Sequence, residues 1–205
     1  EGKVCELCLH GSRINALRYR CYRGSALATA PLALSHIGGV GRDVLLRRAD
    51  QLVFLAPRAR QLYADAGFVR LDRARIIPNF VQPIPSTESG DDRDSAPWLY
   101  VGRLAPEKGV VPMLSAWPHD VPLHVVGAGP QEREVARLCT GSVVYRGSLQ
   151  RTEVLEALLR YRGLVFPSLF AEGLPTVYLE SLAAGLPVVA RAGNSAADDV
   201  QEHGT

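Results

Sequence analysis

Two glutamates, Glu172 and Glu180, enclose the stretch GLPTVYL, which carries the signals of a helix start. Gly173 gives the chain a flexible entry, and Pro175 suits a first helical turn. The backbone N–H groups around Leu174 to Val177 would have no acceptor within the helix, so they could bind a phosphate or a sugar hydroxyl. A ligand held there could meet both carboxylates. The alternative is that Glu172 caps the helix and Glu180 is solvated.

A second candidate site lies in VGRLAPEKG, residues 101 to 109. Arg103 directly follows an apolar stretch and Lys108 precedes a predicted helix, so two cations and free N–H groups would form an anion site. The alternative is a solvated arginine and a surface lysine. Of the 23 basic residues only Lys3 and Lys108 are lysines, which favours a specific role for Lys108.

The stretch VVGAGPQE, residues 125 to 132, places a glycine pair after a strand. The dinucleotide fingerprint needs a third glycine where this chain has Glu132. The pattern therefore indicates a tight turn that a ligand can approach, and it disfavours a nicotinamide-dependent oxidoreductase.

The elements that must position these residues alternate regularly after residue 97. Apolar runs without polar alternation predict strands covered on both faces, hence a parallel sheet in a doubly wound α/β domain. Such sheets bind ligands at the carboxyl ends of their strands, here the loops 102–107, 127–130, 146–150 and 167–174. The predicted strands are WLYVG, LHVVGAG, SVVYRG, GLVFPS and LPVVA, and the predicted helices cover 107–116, 130–139, 150–160 and 174–184.

The part before residue 83 differs in charge. Residues 1 to 75 hold 13 Lys+Arg and 6 Asp+Glu, whereas residues 76 to 205 hold 10 and 15, which suggests two units with different partners. The first unit is predicted to contain a helix over 40–49, the strand QLVFLA, the helix PRARQLYADAG and the strand RIIPNFV. A polar, proline-rich linker follows, and its DRD at 92–94 is interpreted as a solvated charge run. No run of eighteen apolar residues predicts a membrane span.

The motifs GRLAPEKG, VVGAGP, VVYRG and EGLPTVYLESLAAGLPVVA, in this order and spacing, resemble the nucleotide-sugar domain of family 4 retaining glycosyltransferases of the GT-B fold. The stretch from FLAPRARQLYADAGF to RIIPNFV is similar to the end of that family's N-terminal domain. The resemblance implies an acceptor-side domain at 1–82 with a cysteine cluster, a linker at 83–96 and a Rossmann-like nucleotide-sugar domain at 97–205. We expect the chain to be a fragment cut at both ends.

The resemblance also implies residue roles. Arg103 and Lys108 would hold the donor diphosphate, Glu180 would accept hydrogen bonds from the ribose, and Glu172 would lie beside the donor sugar as the catalytic residue. The full donor-binding set that it implies is Gly102, Arg103, Lys108, Gly127, Gly147, Gly173, Leu174, Pro175, Thr176 and Glu180.

The function implied is transfer of a sugar from a nucleotide-sugar to a sugar, lipid-linked or other glycan acceptor. The transfer would proceed with retention and without a catalytic metal, in bacterial cell-envelope polysaccharide biosynthesis. Nucleic acid is not expected as a partner. The expected location is the cytoplasm, with the basic first part able to contact an anionic membrane at its inner face. The alternatives are a sugar-nucleotide epimerase or a phosphorylase on the same fold, or a donor-binding fragment without activity.

Cys5, Cys8 and Cys21 have the spacing C-x2-C-x12-C, which suits three ligands of a structural zinc site. The fourth ligand could be His10, His36 or a cysteine upstream of this sequence. Three thiols in a loop, without metal, are the alternative interpretation.

Overall fold

The computed structural model describes residues 7–10, 12–34, 48–84, 93–170 and 172–203. The chain divides into two compact units, and the boundary falls between Ile77 and Pro78. The second unit therefore begins before the predicted linker. The helix predicted over 40–49 lies outside the described residues apart from its end.

The first unit contains a β-α-β segment in which parallel strands β1 (Leu52–Phe54) and β2 (Ala74–Ile76) flank helix α4 (Pro57–Asp65). All three were predicted from the sequence, and Pro57 begins α4 as expected. The second strand ends at Ile76, however, so residues 77–81 of the predicted RIIPNFV strand lie outside it. Three helices precede them: α1 (Leu7–His10), α2 (Ile14–Arg18) and α3 (Ala26–Leu34). Of the described helices in either unit, none is long and apolar enough to cross a membrane.

The second unit is built on a five-stranded sheet in which every neighbouring pair of strands is parallel. The order across the sheet is β5-β4-β3-β6-β7. Each predicted apolar run became one strand, shorter at its ends than predicted. The bounds are β3 Trp98–Val101, β4 Leu123–Val126, β5 Val143–Tyr145, β6 Gly163–Phe166 and β7 Val188–Ala190.

Helices cover both faces of this sheet, which confirms the doubly wound α/β class. One core cluster joins the sheet to α5 and α6 through Val110, Leu114 and Val135. The other joins it to α7, α8 and α9 through residues that include Leu158 and Tyr178. The bounds are α5 Val110–Ala116, α6 Glu132–Leu138, α7 Arg151–Leu158, α8 Thr176–Ala183 and α9 Ser195–His203.

Two of the differences from the predicted helix starts have a clear backbone cause. The helix predicted over 107–116 is split into a 3-10 turn, Pro106–Lys108, and α5, because Gly109 between them has φ +69°. A Cβ on Gly109 would lie 2.3 Å from the carbonyl oxygen of Pro167, so this turn packs directly on the loop after β6. Helix α8 begins at Thr176, because Pro175 has an extended ψ of 140° and precedes the helix instead of forming its first turn.

The end of the linker is attached to the second unit. Arg93 donates hydrogen bonds to the carbonyl oxygens of Leu159 and Gly185, at 3.0 and 2.9 Å, and to that of Ala184 at 3.3 Å. These carbonyls lie at the C-terminal ends of α7 and α8, where backbone acceptors lack intrahelical donors. The prediction of a solvated charge run is therefore wrong for Arg93.

The strand order also locates the ligand-binding edge. The chain runs outward from β3 through β4 to β5 and then returns to β6 on the other side of β3. The loops that leave β3 and β6 therefore diverge to opposite faces and open a crevice at the carboxyl ends of these strands.

Candidate functional site

A cavity of about 510 Å³ lies at this crevice. Six of the predicted site residues line it: Gly102, Lys108, Glu172, Pro175, Thr176 and Glu180. Its other lining residues are Tyr100, Val101, Leu149, Arg151, Val154, Phe166, Pro167, Ser168 and Val177. The cavity thus combines two carboxylates, two cations and an apolar wall in one space.

Glu172 is held by two side chains within this cavity. Its Oε2 pairs with Nζ of Lys108 at 2.8 Å, and its Oε1 accepts a hydrogen bond from the hydroxyl of Ser168. The side chains of Lys108 and Glu172 are 27% and 15% exposed, so solvent screens this pair less than a surface pair. Ser195 Oγ also donates to the Glu172 carbonyl at 2.6 Å, which fixes the backbone.

The loop after β3 and the loop after β6 are joined where Lys108 and Glu172 meet. Leu169 N–H donates to the carbonyl oxygen of Glu107 at 2.9 Å. On the other side, the amide of the buried Asn194 donates to the carbonyl of Ser168 at 3.2 Å, and its oxygen accepts from Ala197 N–H. The relative position of Lys108 and Glu172 is therefore set by backbone contacts as well as by their own ion pair.

Glu180 is the most deeply buried acidic group of the cavity, with a side chain 6% exposed. Arg151 approaches it, with 2.6 Å between Nη2 and Oε1. The approach is close, but its angles do not make a hydrogen bond, and Oε1 accepts none from any residue that the structure describes. An ionised carboxylate can accept several hydrogen bonds, and Glu180 lines the cavity, so this group is suited to accept a hydrogen bond from a ligand.

Arg103 does not line the cavity. Its guanidinium, 62% exposed, forms a hydrogen-bonded ion pair with Glu107. Its carbonyl accepts a hydrogen bond from the phenol of Tyr100 at 3.1 Å. Burial, followed by the charges of Glu172 and Glu107, raises the pKa of Tyr100, so the phenol remains protonated and keeps this bond at neutral pH.

Gly127 and Gly147 also lie outside the cavity lining. Gly127 N–H donates to the Gly147 carbonyl at 2.8 Å. A Cβ on Gly127, at φ +145°, would lie 1.9 Å from the Gly102 carbonyl oxygen. Gly127 is therefore required for backbone packing between the loops after β3 and β4, a role that the sequence analysis missed.

Gly173 and Leu174 are the remaining predicted donor contacts, and neither lines the cavity. Leu174 packs against the core, and its carbonyl accepts from the amide of Asn79 at 2.6 Å. The side chain of Leu174 therefore stabilises the loop from its core side and does not line the cavity.

The sequence analysis missed four side chains that shape the site: Ser168, Arg151, Asn194 and Ser195. Ser168 lies in the loop 167–174, and Arg151 directly follows the loop 146–150, both of which were predicted to face a ligand. A serine or an arginine at these positions does not by itself indicate which residue it will contact. Asn194 and Ser195 follow a glycine and begin a helix, which is a usual N-cap signal. Their contacts to residues 168 and 172 depend on folding and could not be predicted.

The predicted zinc ligands are only partly described. Cys5 lies outside the described residues, Cys8 is in α1 and Cys21 follows α2. Neither Cys8 nor Cys21 forms a disulfide. Within the described part of the chain no group of three metal-ligating side chains occurs, and the zinc site stays a prediction.

Residues 97–205 match the family of glycosyl transferases group 1. The chain belongs to this family. The match covers more than half of the chain and begins just before β3, so it includes the whole sheet of the second unit and every residue of the cavity.

Curated relatives carry the same region within longer proteins. The chain is 31% identical over 169 residues to an exopolysaccharide phosphotransferase of Streptomyces coelicolor, which covers 75% of this chain and 17% of that protein. It is 37% identical over 94 residues to the putative teichuronic acid biosynthesis glycosyltransferase TuaC of Bacillus subtilis, covering 44% and 23% of the two chains. The chain thus spans less than a third of these relatives.

Solved glycosyltransferases share the fold. The lipopolysaccharide outer core galactosyltransferase WaaB superposes with a TM-score of 0.61 at 20% identity, covering 78% of this chain and 48% of that one. HepE of Anabaena, solved with UDP and glucose, gives a TM-score of 0.62 at 19% identity, covering 78% and 49%. The chain therefore has the GT-B type of fold, with a Rossmann-like second unit.

Proposed function

We propose that this chain is the donor-binding part of a retaining, metal-independent glycosyltransferase. It would use a nucleotide-sugar to build a polysaccharide or glycolipid of the bacterial cell envelope. The observation that carries the proposal is that Lys108, Glu172 and Glu180 meet in one cavity at the switch point of the parallel sheet. Family membership and the names of the relatives support it.

The residue roles follow from position in the cavity. Glu180, buried and with a carboxylate oxygen that lacks a hydrogen-bond donor, takes the ribose hydroxyls. Lys108 takes the diphosphate. Thr176, the first residue of α8, brings a backbone N–H without an intrahelical acceptor and the positive end of the helix dipole to the same space. Pro175 has no N–H to donate, and it contributes ring contacts to the cavity wall. Glu172 contacts the donor sugar next to the bond that breaks.

As the sugar is transferred, the negative charge on the departing nucleoside diphosphate must be stabilised. Lys108 supplies a cation, and α8 adds its dipole, in a partly enclosed cavity where such interactions are stronger than in water. Arg103 would have to leave Glu107 to join them, because its charge already has a partner. Lys108 likewise moves from Glu172 towards phosphate, or bridges the two.

A turnover assay in excess chelator tests the mechanism. We expect the full-length protein to transfer sugar at an undiminished rate without divalent metal, because Lys108 and the α8 start meet the diphosphate charge. NMR of the product should show the anomeric configuration of the donor. The zinc prediction requires a fold control, so circular dichroism accompanies the assay. Loss of activity in a folded protein, restored by magnesium or manganese, would refute metal independence, and an inverted product would refute retention.

The cytoplasmic location and the acceptor side belong to the same proposal. In the first unit, exposed arginines lie over the rings of the exposed Tyr19 and Tyr22, and Leu27 is also exposed. Such a surface could approach a lipid-linked acceptor at an anionic membrane.

A further inference from the structure

Arg151 contacts the deepest acidic group of the cavity from a neighbouring helix. It is the first residue of α7, and its guanidinium reaches across to Glu180 in α8. Both residues line the cavity. The arginine side chain is 70% exposed and the glutamate side chain 6%, so the pair joins a cation at the cavity mouth to a carboxylate in its interior.

The position of Arg151 is unfavourable for a cation by local criteria. A helix N-terminus carries the positive end of the dipole and favours acidic residues. The start of α7 is already satisfied by a capping box, in which Glu153 accepts from Gln150 N–H at 2.6 Å and the Gln150 side chain accepts from the backbone N–H of Glu153. The Arg151 side chain takes no part in this capping box, and its ion-pair partner is Glu180.

Glu180 needs a partner of this kind. A buried carboxylate is costly unless a cation neutralises it and donors bond to its oxygens. Arg151 supplies the cation, with its Nη2 2.6 Å from Oε1, and an ionised carboxylate that lines the cavity has further lone pairs that can accept a donor. Adjacent hydroxyls on a ribose are donors of the required type. The arginine thus holds the carboxylate while leaving it able to bind a ligand.

We propose that Arg151 is a positioning residue for nucleotide recognition: it orients Glu180 and so determines how strongly the cavity prefers a ribonucleoside diphosphate over its 2′-deoxy analogue. This inference rests on the proposed function, because it takes Glu180 as the group that binds the ribose. Neither the family match nor the relatives assign a role to Arg151.

The experiment compares ribonucleotide and deoxyribonucleotide affinities by calorimetry. UDP, GDP and ADP are titrated into the full-length protein, and the tightest of them is compared with its 2′-deoxy form. We expect wild type to prefer the ribonucleotide by about tenfold, the usual worth of a hydrogen bond to a charged group. In Arg151→Ala the preference should fall to about threefold or less. Each ratio is measured within one variant, so a change in overall stability does not shift it.

Three further variants complete the test. Arg160→Ala removes the same charge from a residue just beyond the C-terminal end of α7 and should keep the wild-type preference. Glu180→Gln should abolish the preference for the ribonucleotide. The double variant Arg151→Ala/Glu180→Gln should show no further loss, because both substitutions act on the same carboxylate. Arg151→Lys, which keeps the positive charge, should retain part of the ribonucleotide preference.

The failures are distinguishable. If Glu180→Gln loses the preference while Arg151→Ala keeps it, the proposed function stands and the role of Arg151 is wrong. A wild type that binds diphosphates with no ribose preference also overturns the role of Arg151. If none of the three diphosphates binds to wild type, the proposed function fails together with this inference.

Discussion

Lys108→Ala should weaken nucleoside diphosphate binding by about 10- to 100-fold, because a charge-assisted contact contributes roughly 1.5–3 kcal/mol. Glu172 should make this loss of affinity larger. Its carboxylate pairs with Lys108 at 2.8 Å, and in the variant it would repel the diphosphate because no cation lies between them. The turnover number should fall further, by about 10²- to 10³-fold, because charge on the leaving group is greatest in the transition state. Calorimetry and initial rates measure the two effects.

The double variant Lys108→Ala/Glu172→Gln separates the two causes of this loss. Removing the carboxylate charge should recover part of the diphosphate affinity relative to Lys108→Ala alone, since the repulsion disappears. Lys108→Arg, which keeps the charge, should retain most of the binding. An unchanged affinity in Lys108→Ala would show that the diphosphate binds elsewhere.

Glu172→Gln should lower the turnover number by about 100-fold or more while leaving diphosphate affinity unchanged or slightly tighter. The amide retains an oxygen that can accept from Ser168 and has nearly the same shape, so the fold of the loop should persist. The charge beside the reacting sugar is lost, and electrostatic contributions of this kind act mainly in the transition state. Rates at saturating donor, together with the affinity for the free diphosphate, measure the separation.

Glu180→Gln is the matched control, because it makes the same chemical change in the other carboxylate of the cavity. Here the diphosphate affinity should fall, since the ribose is present in donor and product alike. If Glu172→Gln weakens diphosphate binding and Glu180→Gln spares it, the two roles are exchanged.

The sequence was sufficient for the fold because apolar runs without alternation have one common solution, a parallel sheet covered on both faces. The rule that ligands bind at the carboxyl ends of such strands then placed the loops 102–107 and 167–174, and with them Glu172, at one edge. Lys108 at the following helix start and Glu180 within the next helix were assigned to the same site by the family resemblance.

The pairings within the site could not be predicted in this way. Lys108 and Glu172 are separated by 64 positions, and their contact depends on how Gly109 packs against the loop after β6. Gly127 was expected to admit a ligand, but the sequence does not show that the Gly102 backbone already fills that space. The partners of Arg93 and Arg151 likewise belong to tertiary packing, because the charge of an arginine does not specify which oxygen it will meet.

The central claim is that a nucleoside diphosphate occupies the cavity between the loops after β3 and β6. A crystal structure of the full-length protein with its tightest-binding diphosphate tests it most directly. We expect a phosphate oxygen about 3 Å from Nζ of Lys108 and a ribose hydroxyl at a similar distance from the Glu180 carboxylate. A nucleotide bound away from both side chains would contradict it.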